Sequence, residues 1–392
     1  MPELAIVGGG LASARAVKAY REAGGAGDVL LVSRDSVIPY HRPPLSKRYL
    51  RGEAEREDTL VEDQGFYDEH EVEVRLETAV AALHAARKEL ALEDGERVPY
   101  RRLLIATGAT PRRLDVPGAD RDGVFTLRTL DDSTRIRDAA RGSERAVVVG
   151  AGFIGMEIAA SLTQLGVQAT LVHRGDGLFE SLGSPELSRH LVDLYRERGV
   201  ELVLSDEVAE FRGNGRVSAA VTKAGRELGA DLAVAGVGVT PNVEFLAGSG
   251  LELDNGIVVD DGFAASLPDV YAAGDVANFY DPVFDRRRRI EHWSNANYQG
   301  SQVGKVLAGE PGRYDVVSSF FTEVFGLSLK VFGDTTRTDE RVSQGAFAEG
   351  AAVDWCLEEG RLVGAVLTGQ DEESENRIKA LIRARASAAE LA

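Results

Sequence analysis

The sequence predicts an α/β protein in which two strand–turn–helix units are followed by a small C-terminal α+β domain. Two glycine-rich turns support this prediction, one at residues 8–13 and the other at residues 150–155. Each follows a short apolar strand and opens a segment with helical periodicity. From about residue 315 the pattern changes to strands and a final helix from about Glu372. A chain of 392 residues is long enough for two or three domains.

The first turn has the composition of a dinucleotide-binding site. Gly8 permits a tight turn, and Gly10 lets the backbone approach a pyrophosphate at the helix N-terminus. Ser13 stands where a third Gly or an Ala is usual, and Asp35 is the candidate acid for a ribose. The cofactor contacts that we expect from this unit are Gly8, Gly10, Leu11, Ala12, Ser13, Arg34 and Asp35.

The second turn has all three glycines, and its unit predicts a second dinucleotide site. The strand after its helix ends at His173 and Arg174, where an NAD site usually has an acid. Because Arg174 can pair with a 2′-phosphate, this favours NADPH or the use of both nucleotides, although both residues also suit a plain surface. Two Rossmann-like sites suggest electron transfer between two dinucleotides. The expected contacts are Gly152, Phe153, Ile154, Gly155, His173, Arg174 and Gly238.

Strand ends at glycines suggest the domain boundaries. One strand ends at Thr107 and Gly108, another at Gly238, and a third runs into Gly274 and Asp275. We therefore expect a discontinuous first domain of residues 1–110 and 241–314, a second domain of residues 111–240 and a C-terminal domain of residues 315–392.

Composition restricts the partners and the location. A net charge of −18 argues against nucleic acid, and no apolar run approaches the ~18 residues of a membrane helix. With one cysteine, Cys356, and no secretory signal, we expect a cytoplasmic protein, as a monomer or a homodimer. The basic run Arg286–Arg289 is read as a solvated loop or as a docking patch for an acidic protein.

Several segments in combination resemble the FAD-dependent ferredoxin reductases, the putidaredoxin and rubredoxin reductase type. They are residues 39–47, 106–108, 150–155, 273–275 and 291–296. The resemblance covers nearly the whole chain and extends to apoptosis-inducing factor and monodehydroascorbate reductase. It implies a glutathione-reductase-like architecture with tightly bound FAD and with NADPH or NADH as the exchangeable electron donor.

The resemblance also implies site residues. Lys47 and Glu157 would pair beside the flavin N5 as the catalytic residues, Arg42 would face FAD phosphate or adenine, and Asp275 would accept a ribityl hydroxyl. A helix that begins near Ser294 would direct its N-terminal partial charge at the flavin N1 and O2 edge. The other implied FAD contacts are Val80, Ala106, Thr107, Gly108, Gly274, Glu291, His292 and Trp293.

The chain lacks the redox cysteines of the disulfide reductases in the wider superfamily. Pro43 and Pro44 stand where those enzymes carry a thiol, so disulfide reduction is excluded and electrons must leave the flavin directly. The favoured function is transfer from NAD(P)H through FAD to a ferredoxin-like iron–sulfur protein. The alternatives are reduction of a small acceptor, such as a quinone or monodehydroascorbate, and a redox-sensing flavoprotein. Phe321 occupies the place of a tryptophan found in many ferredoxin reductases.

Overall fold

The computed structural model describes residues 1–391. Contacts divide the chain into two units, which are described separately. The first contains Met1–His41, Arg56–Thr110 and Thr240–Val316, and the second contains Arg42–Glu55, Pro111–Val239 and the residues from Val317 onward. The three-domain partition remains a prediction, and its last residue, Ala392, lies outside the described residues.

The helices are α1 Leu11–Glu22, α2 Gln64–Glu69, α3 Leu130–Ala140, α4 Phe153–Gln164, α5 Pro185–Glu197, α6 Trp293–Ala308 and α7 Glu372–Arg383. The strands are β1 Leu4–Val7, β2 Val29–Val32, β3 Val72–Arg75, β4 Val80–His84, β5 Glu89–Leu92, β6 Arg97–Pro99, β7 Arg102–Ile105, β8 Ala109–Pro111, β9 Val124–Thr126, β10 Arg145–Val149, β11 Gln168–His173, β12 Glu201–Leu204, β13 Val208–Arg212, β14 Ala219–Thr222, β15 Glu227–Gly229, β16 Leu232–Ala235, β17 Val239–Pro241, β18 Ile257–Val259, β19 Val270–Ala272, β20 Ala277–Asp281, β21 Arg286–Arg288, β22 Ser319–Val324, β23 Leu327–Gly333, β24 Glu340–Ala346, β25 Ala351–Glu358 and β26 Arg361–Thr368.

The first unit is built on a five-stranded parallel sheet with the order β19-β7-β1-β2-β3. Its central strands are continuous apolar runs, as expected for a parallel sheet that is covered on both faces, and every residue of β1 and β2 is buried. The strand order reverses at β1, between β2 on one side and β7 on the other. Ligands of such sheets bind beyond the carboxyl ends of the strands at this switch point.

The second unit repeats the same plan. Its parallel sheet has the order β12-β11-β10-β16-β9, with β11 and β16 on opposite sides of β10. The glycine turn that follows β10 therefore lies at the corresponding switch point. The sequence prediction of two Rossmann-like α/β folds is confirmed.

The chain from Val317 forms an antiparallel sheet with the order β22-β23-β26-β25-β24, and α7 packs on β23 and β26. This is the predicted C-terminal α+β segment. Strands β25 and β26 are joined by a tight turn at Glu359 and Gly360, which both have positive φ angles.

The basic run differs from the loop that the sequence suggested. Arg286–Arg288 form strand β21, which pairs with β20 in an antiparallel hairpin. Alternate side chains of a strand point to opposite faces, so the four arginines do not form one continuous face.

Candidate functional site

The first glycine turn has the geometry of a pyrophosphate cradle. Gly8 has a φ of +121°, and a Cβ there would lie 2.2 Å from the carbonyl oxygen of Ala106, at the end of β7. Helix α1 begins after Gly10 without a side-chain cap, so the N–H groups of its first two residues, Leu11 and Ala12, are available to bind an anion. Ser13 is fully buried, and its hydroxyl donates to the carbonyl of Gly8 at 2.5 Å. The serine that replaces the usual Gly or Ala therefore stabilises the turn.

Helices α1 and α6 run parallel and in close contact. A Cβ at Gly300 would lie 2.4 Å from the carbonyl oxygen of Ala12, and one at Gly304 would lie 2.5 Å from that of Ala16. Helix α6 begins seven residues before Gly300, whereas α1 begins one residue before Ala12. The N-terminus of α6 therefore extends about 9 Å beyond that of α1.

Neither of these two helix N-termini has a side-chain cap, because the N-cap residues are Gly10 and His292. Two positive ends offset along one direction suit a ligand with a phosphate at one point and a second electron-rich group further along. The residues of the first unit therefore fit FAD, with the pyrophosphate at α1 and the flavin at α6.

The strand ends around this turn present polar groups. The Asp35 carboxylate accepts from the Tyr40 hydroxyl at 2.6 Å. The Thr107 hydroxyl donates to the carbonyl of Asn242 at 2.9 Å, and the Asn242 amide donates to the carbonyl of Thr107 at 2.8 Å. These bonds fix the chain at the end of β7, beside the switch point.

Gly274 lies in contact with α1. It has a φ of +80°, its N–H donates to Gln299 Oε1 at 2.8 Å, and a Cβ there would lie 3.2 Å from that of Ala12. The next residue, Asp275, accepts from Arg289 through its backbone carbonyl at 3.1 Å. The predicted ribose, ribityl and backbone contacts remain predictions, and they are Leu11, Ala12, Arg34, Asp35, Ala106, Thr107, Gly108, Gly274 and Asp275.

Two aromatic side chains, His41 and Trp293, are in contact at the start of α6. Trp293 Nε1 donates to His41 Nδ1 at 2.9 Å, so His41 fixes the orientation of the indole ring. Desolvation lowers the pKa of His292 to about 4, against the raising effect of the Asp275 carboxylate. His292 is therefore neutral at pH 7, and a neutral imidazole leaves the helix N-terminus as the positive element at this position.

The second glycine turn is equally tight. A Cβ at Gly150 would lie 2.4 Å from the carbonyl oxygen of Gly236, and one at Gly155 would lie 1.9 Å from that of Gly150. Helix α4 begins after Gly152 without a side-chain cap. Ile154 is 41% exposed beside the turn, which is unusual for a large apolar residue in a first helical turn. The turn has the backbone donors and the apolar contact that a dinucleotide requires.

Other contacts predicted for the second turn lie close to it in sequence. The Phe153 ring lies 4.7 Å from that of Phe179 and 4.8 Å from that of Phe320. Gly238 has a φ of +98°, and its carbonyl accepts from the N–H of Arg112. The roles of these residues toward a dinucleotide remain predictions.

Lys47 and Glu157 form a buried ion pair in the second unit. Lys47 Nζ lies 2.6 Å from Glu157 Oε1, and the two side chains are 17% and 6% exposed. The Ser46 hydroxyl donates to Oε2 at 2.5 Å, and the Thr322 hydroxyl donates to Oε1 at 2.6 Å. Three donors therefore contact the Glu157 carboxylate, and this network holds the Lys47 ammonium in one position.

Sequence reasoning placed Lys47 and Glu157 together but missed Ser46 and Thr322. Ser46 ends the turn that positions Lys47, and Thr322 lies on β22. A cavity of about 300 Å³ beside the pair is lined by Pro43, Pro44, Lys47, Arg51, Glu157 and Glu323. The pair therefore faces a polar space large enough for water.

Three predicted FAD contacts make other interactions. Arg42 Nε donates to the carbonyl of Arg128 at 3.3 Å, Glu291 pairs with Arg289 at 2.6 Å, and Val80 packs against the core of the first unit. The roles of Arg42, Val80 and Glu291 toward FAD remain predictions.

The described residues provide neither an accessible thiol nor a cluster of metal ligands. Cys356 is fully buried, and burial raises the pKa of its thiol, which makes it unreactive. Within residues 1–391 no group of three or more His, Cys, Asp or Glu could hold a metal ion. Over the same residues no helix is both long and apolar enough to cross a membrane.

Comparisons with known proteins identify a family and several relatives. The sequence profile described as pyridine nucleotide-disulphide oxidoreductase matches residues 2–300. The chain is 33% identical over 350 residues to putidaredoxin reductase of Pseudomonas putida, which covers 88% of this chain and 83% of that protein. It is 31% identical over 376 residues to the ferredoxin–NAD(+) reductase component of a 3-phenylpropionate/cinnamic acid dioxygenase of Photorhabdus laumondii, which covers 96% and 95%.

The fold is also similar to that of solved structures. Superposition on a chain of the covalent putidaredoxin reductase–putidaredoxin complex gives a TM-score of 0.93 at 32% identity, and it covers 97% of this chain and 93% of that chain. The match extends beyond residue 300, so it includes the C-terminal sheet as well as both parallel sheets.

Proposed function

This chain belongs to the pyridine nucleotide-disulphide oxidoreductase family, and on that premise we propose that it is an NAD(P)H-dependent flavoprotein reductase that passes electrons to a ferredoxin-type iron–sulfur protein. The observation that carries the proposal is the combination of two uncapped glycine turns at two switch points with the absence of an accessible thiol. Two dinucleotides can then exchange electrons, but no disulfide can receive them.

The named relatives support the kind of acceptor. Putidaredoxin reductase and ferredoxin–NAD(+) reductase components are named for iron–sulfur or ferredoxin partners, and the similar crystal structure is a complex with putidaredoxin. The iron–sulfur acceptor comes from these comparisons, because no contact within the chain identifies it.

FAD, when bound, supplies the chemistry that accepts a hydride and releases electrons one at a time. The first turn of α1 would bind its pyrophosphate, and the uncapped end of α6 would stabilise negative charge on the flavin. Lys47 would hold its ammonium at the flavin edge, oriented by Glu157, Ser46 and Thr322. Pro43 and Pro44 leave that position without a nucleophile.

The second turn would bind the nicotinamide dinucleotide, the exchangeable donor. NADH and NADPH both remain candidates at this level, and the arginine at position 174 is the sequence feature that favours NADPH or dual use. The predicted cytoplasmic location remains a prediction.

The experiment that tests the proposal uses the purified, FAD-loaded protein. We expect a visible flavin spectrum, anaerobic bleaching of that spectrum by NADH or NADPH, and reduction of a [2Fe–2S] ferredoxin, followed through ferricytochrome c. A colourless protein that does not bind added FAD would contradict the flavoprotein assignment. A kcat/KM for quinones far above that for every ferredoxin tested would favour the small-acceptor alternative.

A further inference from the structure

His173 lies at the strand end where an NAD site usually has an acid. Its imidazole contacts a carboxylate from elsewhere in the chain, that of Glu180. The N–H of Ala151, in the second glycine turn, donates to His173 Nδ1 at 3.3 Å. The ring proton is therefore on Nε2, which lies 3.3 Å from Glu180 Oε2. One imidazole thus connects the glycine turn to the carboxylate of Glu180.

The backbone after the strand is shaped to receive this carboxylate. The N–H groups of Asp176 and Gly177 donate to Glu180 Oε1 at 3.0 and 3.1 Å. A Cβ at Gly175 would lie 1.8 Å from Glu180 Oε2, so only glycine leaves room for the carboxylate in this position. Desolvation raises the pKa of Glu180, but the hydrogen bonds from Asp176, His173 and Gly177 outweigh it and lower the pKa, so the group is ionised at neutral pH.

The carboxylate is held in place but remains accessible, because the Glu180 side chain is 39% exposed. An ionised carboxylate at this strand end can accept from the 2′-hydroxyl of an adenosine ribose. A 2′-phosphate would be repelled by the same charge, and the two backbone donors that could bind it already bind Glu180.

We propose that Glu180 determines the nucleotide specificity of the second site and makes this site select NADH over NADPH. Glu180 takes the role of the acid that is missing at position 173. This inference rests on the proposed function and deepens it. It reverses the preference that Arg174 suggests from the sequence. Arg174 is exposed and makes no ion pair among the described residues, whereas three hydrogen bonds, from His173, Asp176 and Gly177, hold Glu180 in place.

The test is calorimetric binding of NAD⁺ and of NADP⁺ to the FAD-loaded protein. For Glu180→Gln we expect the ratio of the two Kd values to shift toward NADP⁺ by about tenfold or more, since a hydrogen bond to a charged group is lost and a repulsion is removed. Gly175→Ala, whose methyl group displaces the carboxylate without changing its charge, should shift the ratio in the same direction. Glu197→Gln is the matched control, because it removes an exposed glutamate at the end of α5 and should leave the ratio unchanged.

An unchanged Kd ratio in both Glu180→Gln and Gly175→Ala would overturn the inference, as would a wild-type preference for NADP⁺ that is lost in Arg174→Ala. Failure of the proposed function is a separate result. A protein that binds NAD⁺ with the expected dependence on Glu180 but reduces no ferredoxin would retain this inference and lose the assigned acceptor.

Discussion

At the scale of single residues, Lys47 owes its position to its counter-ion. Lys47→Gln leaves Glu157 as a buried carboxylate with two hydroxyl donors and no cation, so we expect the free energy of unfolding to fall by about 3 kcal/mol. If Lys47 lies at the flavin N5, flavin reduction should also slow about 10- to 100-fold in stopped-flow measurements. Lys88→Gln is the control, since Lys88 and Asp269 form a surface pair, both 45% exposed, whose loss costs at most about 1 kcal/mol. Equal losses of stability in the two variants would contradict this prediction.

His292 makes stability depend on pH in a defined range. Its pKa is about 4 in the folded protein, below the ordinary value of 6.5, so between these values the unfolded chain binds the extra proton. Stability is therefore present in full above about pH 6.5 and decreases as the pH falls toward 4, by on the order of 3 kcal/mol from this group. Urea unfolding at pH 7 and 4.5 should show a smaller loss for His292→Asn than for the wild type. Parallel losses in the two proteins would mean that His292 is not the group responsible.

At the scale of elements, the contact of α1 with α6 depends on two glycines. In Gly300→Ala the new methyl group would lie 2.4 Å from the carbonyl oxygen of Ala12, which is backbone and can yield only if a helix moves. We expect a loss of about 1–3 kcal/mol in unfolding free energy and faster release of FAD on dilution, because both helix N-termini move. Ser301→Ala, one residue further along α6, is the control and should retain FAD. If Gly300→Ala retains FAD as well as the wild type does, the contact between the two helices is not needed for cofactor binding.

The elements show what sequence reasoning can and cannot reach. Both glycine turns, their helices and the parallel strands were predictable, because close approach and periodicity leave local patterns. The contact of Gly300 with Ala12 was missed, since it joins residues distant in sequence and glycine spacing in a helix has several causes. Glu180 was missed for a different reason, because the acid was expected at the strand end, whereas Glu180 occurs seven residues later in a turn. Thr322 reaches Glu157 from β22, and no local pattern indicates this.

At the scale of the whole molecule, a net charge of −18 opposes association with an acidic partner unless a local basic surface dominates. The basic run is the predicted surface, but its members also have structural roles. Arg288 pairs at 2.8 Å with Asp281, which is fully buried. Arg288→Gln would therefore destabilise the protein whether or not Arg288 contacts a partner, so it is a poor probe of docking. Arg287 is exposed, although it also donates to the carbonyl of Val259 at 2.6 Å. It is therefore the better probe.

If Arg287 contributes to docking, kcat/KM for an acidic ferredoxin should fall as ionic strength rises, because screening weakens the attraction. In Arg287→Gln this value should be lower at low salt and should depend less on salt, while the rate of flavin reduction by the nicotinamide donor stays unchanged. Arg198→Gln is the control for loss of one surface cation, since Arg198 is exposed and lies over the Phe325 ring. The opposite dependence, a kcat/KM that rises with salt in the wild type, would mean that overall repulsion dominates. The ferredoxin would then dock through apolar contacts, for which Phe321, 49% exposed on β22, is the first residue to test.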